Sequence, residues 1–590
     1  MTVVTAQARL RLMASSDVHM HALPFDYRKD QPAPAYGLAA LAPLIAAARA
    51  EVPNAVLVDN GDLLQGAELG NTLAASDEPC PMAQAVARMG YDAIGLGNHD
   101  FDFGWDVLER FVAASQVPVL CSNIAVPGAR DHLLLRREVA LEGGGTAPLT
   151  LGIASVLPPQ TATWNRKHWG ARPAPLPQEE AAQAQIAALR AQGADLVLLL
   201  AHTGPSPDGT QQTENAAQTL AGLPGIDAMV CGHVHKQLPG PDFAGWPGID
   251  GPAGRIGDVP AVMPGFAGSH LGLIDLELEW NGTWSVRRAE AQLRRAAEAD
   301  PDIAALFAPA HAATRARLSR QVGTTPAPMH SYFAALGLDH GQALIAAAMR
   351  QAVRAAGVTD LPILATVPPN AAGGLGGPSN YLDLPAGPVL ERHVATLAPY
   401  VNAIWVLRLT GAQLLDWAEW AAQYIAAPGP AGRSLTNPIW PAFNFDGLFG
   451  LDLTLDPARP PAFAADGTRI AGAGRITRAM WQGAPLNPEA SFAVAATSYR
   501  AAGGGDFPGA GEEAVIARLP GSWIDAIRTE LAAGPVAATP GPWHFVRRGT
   551  DRAILRTGPG AEAHLDAIAA FAPRVVGQTP DGFLQIEVTL

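Results

Sequence analysis

The sequence predicts an α/β fold with at least two domains. Three observations point to it: short apolar runs that each end in a polar cluster, Ala- and Leu-rich helical segments between them, and a change of texture after about residue 320. Alternating strands and helices are typical of α/β domains, and a chain of 590 residues is too long for a single hydrophobic core.

Five apolar runs in the N-terminal half have the length of buried strands. They end in the sequences SSDVH, DNGD, GNHD, AHTG and GHVH. Reactive groups of α/β domains collect beyond the carboxyl ends of the strands, so we expect these five clusters to meet in one place. The segments LAALAPLIAAARAEV and EEAAQAQIAALRAQG, which lie between the runs, predict helices.

The remaining patterns set the predicted domain boundaries. PAVMPGFAGSHLGLIDLELEW predicts a strand, a Gly-rich turn and a second strand, which close the first domain near residue 295. A helical stretch without a catalytic pattern follows over residues 297–318. LTGAQLLDWAEWAAQYIAA then predicts an amphipathic helix, and FLQIEVTL a terminal strand. We therefore predict a first domain over residues 8–295, a helical connector over 296–320 and a second domain over 321–590.

Composition limits the class of partner. Acidic residues outnumber basic ones by 54 to 40, for a net charge of -14, which opposes binding to a nucleic-acid polymer. Bound metal ions would reverse the local sign for a small phosphorylated substrate. The N-terminus lacks a signal-peptide apolar core, and no run approaches the ~20 apolar residues of a membrane span. We expect a monomer without a membrane partner, cytoplasmic as the sequence is written and periplasmic if the true start lies upstream.

The polar clusters supply side chains that suit a pair of metal ions. Seven side chains are candidate ligands: Asp17, His19, Asp62, Asn98, His202, His233 and His235. A mixture of Asp, Asn and His favours divalent Mn, Zn, Co or Fe. Seven ligands exceed the need of one ion and suffice for two ions that share a carboxylate. Two cations ~3.5–4 Å apart lower the pKa of a water and neutralise phosphate oxygens, which is hydrolytic chemistry at phosphorus.

The order of the blocks resembles the signature of the calcineurin-like metallophosphoesterase superfamily: D-x-H, G-D, G-N-H-D, H and G-H-x-H. The resemblance implies a four-layer αββα sandwich for the first domain and a bridging role for Asp62. It implies that Asp17, His19 and His235 complete the shell of the first metal, and that Asn98, His202 and His233 complete the second.

The same resemblance gives roles to two further residues of GNHDFD. His99 would stabilise the transition state and protonate the leaving oxygen. Asp102 would orient His99 and keep it cationic. A simple loop cap is the alternative reading of Asp102.

The whole chain is similar to the 5'-nucleotidase family. The similarity lies in VDNGDLLQG, GLGNHDFDFG, FNFDGLFGLDLTLDPARP and ATSYRAAGGGDFPG, which span almost the entire sequence. It implies a C-terminal α/β substrate-binding domain joined by a helix. Phe443 and Tyr499 occupy the positions of two rings that sandwich a nucleobase, a contact that contributes ~1–3 kcal/mol per base. Asn444 and Asp506 lie beside them in the sequence and are candidate contacts to base or ribose. Core packing is the alternative for each ring.

Within that family the chain is most similar to the branch that acts on cyclic nucleotides. The expected function is a dinuclear-metal hydrolase that converts 2',3'-cyclic nucleotides to 3'-nucleotides, and 3'-nucleotides to nucleosides and phosphate. One alternative is a 5'-nucleotidase or UDP-sugar hydrolase of the same architecture. The other is a catalytically inactive nucleotide-binding protein.

Overall fold

The structure is a computed structural model that describes residues 6–590 except 34–35, 77–79, 208, 210–212, 428, 430–431, 465–466, 536–540 and the side chain of residue 375. The chain divides into two compact units, Met1–Ala316 and Arg317–Leu590. No helix in the described part of the chain is long and apolar enough to cross a membrane.

Unit 1 contains a six-stranded sheet, and the first strand of the chain is one of its two central strands. In spatial order its strands are Trp284–Arg295, His270–Trp280, Ala6–Ser15, Ala55–Asp59, Ala93–Gly95 and Val119–Leu120. The last four run parallel, whereas the first two pair antiparallel. This sheet carries the strands that precede SSDVH, DNGD and GNHD.

A second sheet of eight strands carries the strands that precede AHTG and GHVH. In spatial order its strands are Ile249–Asp250, Arg255–Ile256, Val259–Pro264, Ala228–Cys231, Leu196–Ala201, Thr146–Val156 and His132–Ala140, and Gln237–Leu238 pairs with Val259–Pro264. The four strands from Val259–Pro264 to Thr146–Val156 run parallel.

The two sheets pack face to face around one apolar core. Leu10 and Leu12 of the first sheet share this core with Leu198 and Leu200 of the second. Successive side chains of a strand point to opposite faces. Arg11 accordingly points away from the core, toward helix Leu38–Ala50, where it donates to the Ala48 carbonyl at 3.0 Å.

Helices complete the four layers of unit 1. On the second sheet, helix Gln178–Ala191 packs Ile186 and Leu189 against Val197 and Leu199. The remaining helices of two or more turns are Glu68–Ala74, Pro81–Met89 and Trp105–Ala114, and the shorter helical segments are Asn98–Phe101, Thr161–Trp164, Arg166–Trp169, Ala217–Ala221 and Pro241–Phe243. The predicted αββα sandwich is confirmed.

The stretch predicted as a connector forms the helices Pro301–Leu306 and Ala308–Leu318. Asp300 caps the first by accepting from the backbone N–H groups of Asp302 and Ile303. The second contacts the short hairpin formed by strands Phe25–Asp26 and Gln31–Pro32: the Tyr27 hydroxyl lies 2.9 Å from His311 Nδ1.

Unit 2 is built on a mixed five-stranded sheet with helices on both faces. Its strands in spatial order are Gly447–Phe449, Ile363–Val367, Ser491–Thr497, Ala403–Thr410 and Val515–Ser522. One face packs against helices His340–Ala356 and Trp523–Ala533, and the other against Trp417 of helix Gly411–Ala421.

Unit 2 also contains smaller sheets. They are Ala484–Pro485 with Ile476–Trp481, Asp452–Leu455 and Trp543–Phe545; Arg552–Thr557 with Leu584–Thr589 and Arg574–Gln578; Gln321–Thr325 with Gly387–Leu390; and Met329–His330 with Asp383–Leu384. The other helical segments are Ala334–Leu336, Gly374–Gly376, Glu391–Leu397, Ala422–Tyr424, Ala442–Asn444, Ser498–Ala501, Glu512–Ala514 and Pro559–Phe571. The predicted amphipathic helix and terminal strand are both present.

Candidate metal centre

The polar clusters of both sheets of unit 1 converge at the carboxyl ends of their strands. Asp17, Asp62 and Asn98 each follow a strand of the first sheet, whereas His202 and His233 each follow a strand of the second. The site is therefore built where the two sheets meet, and neither sheet holds it alone.

The backbone of the candidate ligands is bent in an unusual way. Five of the seven have a positive φ, which only glycine adopts without strain: Asp17 (53°), His19 (49°), Asp62 (56°), His233 (72°) and His235 (57°). The turn at Gly61 also needs a residue without a side chain, because a Cβ there would lie 2.3 Å from Gly97 N. Such strain collects at functional sites, where the surrounding fold holds it in place.

One group of ligand atoms is formed by Asp17, His19 and His235. His235 Nε2 lies 2.9 Å from His19 Nε2 and 3.6 Å from Asp17 Oδ1. A second hydrogen bond fixes the ring of His19, because its Nδ1 lies 2.7 Å from the Gln65 carbonyl oxygen. The three ligand atoms thus point toward one another rather than toward the bulk of the protein.

A second group is formed by Asp17, Asp62 and His202. Asp62 Oδ2 lies 3.1 Å from His202 Nε2 and 3.6 Å from His19 Nε2, so this carboxylate reaches both groups. Asn98 Oδ1 and His233 Nδ1 lie side by side at 2.9 Å. The backbone N–H of His233 donates to Asp17 Oδ1 at 2.9 Å, so this pair adjoins the two groups and all seven predicted ligands lie together.

The buried atoms of this centre fit a divalent cation. Among the described residues, His202 Nε2 and Asp62 Oδ2 are buried without a hydrogen-bond partner, although they face each other. Buried polar atoms are seldom left in this state, and it costs about 1–3 kcal/mol per group. A cation between them would satisfy both, and Asp and His ligands suit first-row metals.

Electrostatics support the same reading. Burial lowers the pKa of both His19 and His235 to about 3, which keeps them as the neutral imidazoles that bind metals. Burial also lowers the pKa of His202, but the carboxylates of Asp62 and Asp17 outweigh it and raise that pKa to about 9. The negative potential that attracts a proton to His202 would equally attract a cation.

His99 and Asp102 form a pair at the edge of the centre. His99 Nδ1 lies 2.7 Å from Asp102 Oδ2, and both side chains are about one quarter exposed, at 27% and 26%. The backbone N–H of His99 donates to Asp62 Oδ1 at 2.7 Å. The imidazole is thus oriented from one side by a carboxylate and anchored through its backbone to a candidate ligand.

Asp100 is a residue of this site that the sequence reasoning missed. Its buried carboxylate accepts hydrogen bonds from the backbone N–H groups of Gly97, Asp62, Leu63 and Leu64, at 2.8–3.0 Å. Asp100 therefore joins the loop that carries Asn98 to the loop that carries Asp62. Asp100 is the final residue of GNHD, and its place in that motif was the signal in the sequence that could have indicated this role.

Unit 2 places the two predicted stacking rings at its surface. Phe443 and Tyr499 are each 41% exposed, so core packing does not explain them. Gly504 passes close to the face of Tyr499, because a Cβ on Gly504 would lie 2.5 Å from its ring. Asp506 is exposed, has a φ of 56° and lies in the same Gly-rich loop.

A buried arginine connects the parts of this second site. Arg500 makes a bidentate pair with Asp446, at 3.0 and 2.9 Å, and donates to the carbonyl oxygens of Phe443 and Gly504. It also donates to Asn444 Oδ1 at 3.2 Å. All five N–H groups of Arg500 are thereby used, and it links the segments that carry Phe443 and Tyr499. The sequence reasoning missed Arg500, although it lies inside SYRAAGGGDF.

Two family models match the chain, one in each unit. The model described as "Calcineurin-like phosphoesterase" matches residues 10–237, and the model described as "5'-nucleotidase, C-terminal domain" matches residues 321–512. The first matched range includes all seven candidate ligands. The second includes both exposed rings.

Curated relatives match over almost the full length. The chain is 32% identical to the 2',3'-cyclic-nucleotide 2'-phosphodiesterase/3'-nucleotidase of Haemophilus influenzae, over 98% of this chain and 95% of the relative. It is 31% identical to the protein of the same name from Salmonella typhimurium, over 100% of this chain and 97% of the relative.

A solved structure with the same fold is a putative 5'-nucleotidase from Staphylococcus aureus in complex with alpha-ketoglutarate. It is 21% identical, with a TM-score of 0.74, and the match covers 91% of this chain and 100% of that one.

Proposed function

The chain belongs to the family of bacterial 2',3'-cyclic-nucleotide 2'-phosphodiesterase/3'-nucleotidases, and we propose that it hydrolyses 2',3'-cyclic nucleotides to 3'-nucleotides and these to nucleosides and phosphate. One observation carries the hydrolytic part: Asp62 Oδ2 and His202 Nε2, at the ends of strands of two different sheets, are buried and face each other with no hydrogen-bond partner among the described residues. The choice of nucleotide is supported by the full-length relatives.

We propose that the centre holds two divalent cations. Asp17, His19 and His235 would hold the first, Asn98, His202 and His233 would hold the second, and Asp62 would be shared. When bound, the pair would activate the attacking water and neutralise the phosphate oxygens. We assign residues 8–295 to this metal-binding domain, 296–320 to the connector and 321–590 to the substrate-binding domain. Elemental analysis after reconstitution with Mn, Zn, Co or Fe should find about two ions per chain.

His99 would serve as the general acid. As water attacks phosphorus and releases a proton to the solvent, the bond from phosphorus to the 2' oxygen breaks, and the proton of His99 passes to that oxygen. Asp102, 2.7 Å from His99 Nδ1, would keep the ring oriented and favour its protonated form. The same pair would serve the second reaction, with the 3' oxygen as the leaving group.

Phe443 and Tyr499 would hold the nucleobase by stacking. Every base has a π-face, so this contact tolerates different bases. Asn444 would offer its N–H groups to the ligand, since its Oδ1 already accepts from Arg500. Asp506 would accept from a hydroxyl or an amino group, because an ionised carboxylate has no proton to donate.

Side-by-side kinetics with 2',3'-cAMP, 3'-AMP and 5'-AMP, each with Mn²⁺, test this proposal. We expect higher kcat/KM for the first two substrates than for 5'-AMP. A preference for 5'-AMP or a UDP-sugar would instead identify a 5'-nucleotidase or UDP-sugar hydrolase. No turnover and no bound metal after reconstitution would indicate an inactive nucleotide-binding protein. His202→Ala, which removes a candidate ligand, serves as the metal-deficient control.

A further inference from the structure

The imidazole ring of His233 is oriented differently from those of His19 and His202. His19 and His202 direct Nδ1 to the backbone carbonyl oxygens of Gln65 and Asn60, at 2.7 and 2.8 Å, which leaves Nε2 for the centre. His233 is reversed: its Nδ1 lies beside Asn98 Oδ1, and its Nε2–H donates to the carboxylate of Glu214 at 2.9 Å.

The Glu214 segment is itself fixed by its backbone. The Glu214 carbonyl oxygen accepts from Gln178 Nε2 at 3.2 Å and from the hydroxyl of Thr203, next to His202. The side chain is 41% exposed, whereas that of His233 is only 12% exposed. The carboxylate thus reaches inward from a surface position to a nearly buried ring.

An aromatic face completes the environment of His233. Trp164 stacks on the imidazole with ring centroids 5.7 Å apart and planes 18° from parallel. The neighbouring Asn165 donates from Nδ2 to the Asn98 carbonyl at 3.3 Å, so this segment contacts both residues of the Asn98–His233 pair. The stack limits rotation of the ring, and the hydrogen bond to Glu214 selects which nitrogen faces the centre.

We infer that Glu214 is a positioning residue that sets the metal affinity of the Asn98–His202–His233 site. The inference rests on the proposed two-metal centre. The Glu214 carboxylate holds the proton of the His233 ring on Nε2, which leaves the Nδ1 lone pair free to bind a cation. The negative charge of the carboxylate also makes Nδ1 a stronger metal ligand. Backbone carbonyls, the partners of His19 and His202, lack this full negative charge.

The test is metal binding by the full-length protein, with Mn²⁺ as the probe. Chelator competition gives the dissociation constant of each binding step for the wild type, Glu214→Gln and Glu214→Ala. Loss of such a partner lowers metal affinity about 10- to 100-fold. We expect this loss in one step for Glu214→Ala with the other step unchanged, and a smaller loss for Glu214→Gln, whose amide accepts the bond without the charge.

Kinetics supply a second readout that a merely structural role would not move. For Glu214→Ala we expect the Mn²⁺ concentration for half-maximal activity to rise by the same factor, and kcat at saturating Mn²⁺ to return close to wild type. Glu180→Ala is the matched control, since Glu180 is an exposed glutamate of unit 1 on helix Gln178–Ala191.

The outcomes separate the two proposals. Unchanged dissociation constants in Glu214→Ala, with metal bound by the wild type, would overturn this inference alone. A wild type that binds no Mn²⁺ would overturn the proposed function as well. A kcat that stays low in Glu214→Ala when both sites are saturated would assign Glu214 to the reaction itself and contradict the positioning role.

Discussion

At the scale of single residues, the centre combines strain with electrostatic preparation. Five candidate ligands have a positive backbone φ. Burial lowers the pKa of His19, whereas neighbouring carboxylates raise the pKa of His202. Both features are unfavourable for folding alone. Both are expected of a site whose side chains are arranged for a cation rather than for stability.

Backbone strain at His235 gives a stability prediction. With a φ of 57°, the position suits glycine, and a side chain there costs about 1–2 kcal/mol. In the metal-free protein we expect His235→Gly to be more stable than His235→Ala by about that amount. Urea unfolding measures the difference. His202 is not among the positive-φ positions, so we expect His202→Ala to be more stable than His202→Gly. Equal stabilities of His235→Gly and His235→Ala would refute the strain argument.

The His99–Asp102 pair gives a kinetic prediction. His99→Ala removes the general acid and should lower kcat about 10²- to 10⁴-fold with little change in KM. Asp102→Asn keeps a hydrogen-bond acceptor near Nδ1 and should cost less. Steady-state kinetics with 3'-AMP, together with elemental analysis, separate this loss from loss of metal. His132→Ala is the control for loss of an imidazole that is not part of the centre, because the His132 ring contacts Gln185. Wild-type kcat in His99→Ala would contradict the assignment.

At the scale of elements, segment ends decide where functional atoms lie. The loops after Ala55–Asp59 and Ala93–Gly95 are tied together by the Asp100 carboxylate. In unit 2, Thr410 and Asp339 cap helices Gly411–Ala421 and His340–Ala356 with side-chain oxygens. Caps and loop ties of this kind satisfy backbone N–H groups that the regular element leaves unpaired.

The cap at Asp339 makes stability depend on pH. Burial raises the pKa of Asp339 to about 7, against about 4 in an unfolded chain. Between these values the folded protein binds more protons than the unfolded chain, so this group's contribution to stability falls as pH rises. Asn cannot ionise but still caps helices well. We therefore expect the melting temperature of Asp339→Asn, relative to wild type, to increase from pH 5 to pH 8; a constant difference would contradict the raised pKa.

At the scale of the whole molecule, the candidate functions divide between the units. Unit 1 carries the candidate ligands with His99 and Asp102, and unit 2 carries the exposed rings and their buried Arg500–Asp446 support. We therefore expect mutations of the candidate ligands in unit 1 to affect the chemical step, and mutations of the exposed rings in unit 2 to affect base binding.

Tyr499→Ala tests this division. Loss of one stacking ring costs about 1–3 kcal/mol, which corresponds to a rise in KM of roughly 5- to 150-fold. We expect this rise with kcat and metal content close to wild type, measured by steady-state kinetics and elemental analysis. Tyr400→Ala is the control for loss of an exposed tyrosine in the same unit. A fall in kcat without a change in KM would assign Tyr499 to the chemistry instead.

The sequence by itself determined the class of fold and the order and type of the candidate ligands. This was possible because both depend on local patterns: apolar runs of strand length and the polar residues that follow each strand. The stacking rings came from motif resemblance, and the 41% exposure of each was needed to set core packing aside.

Only the tertiary structure decided which partners complete these sites. Glu214 is 19 residues from His233 and Arg500 is 54 from Asp446, and no local pattern links either pair. The distribution of the five strand ends over two sheets depends likewise on pairing between distant strands. Periodicity reports how one segment meets its surroundings, whereas these contacts arise when separate segments pack, so they appear only in the folded chain.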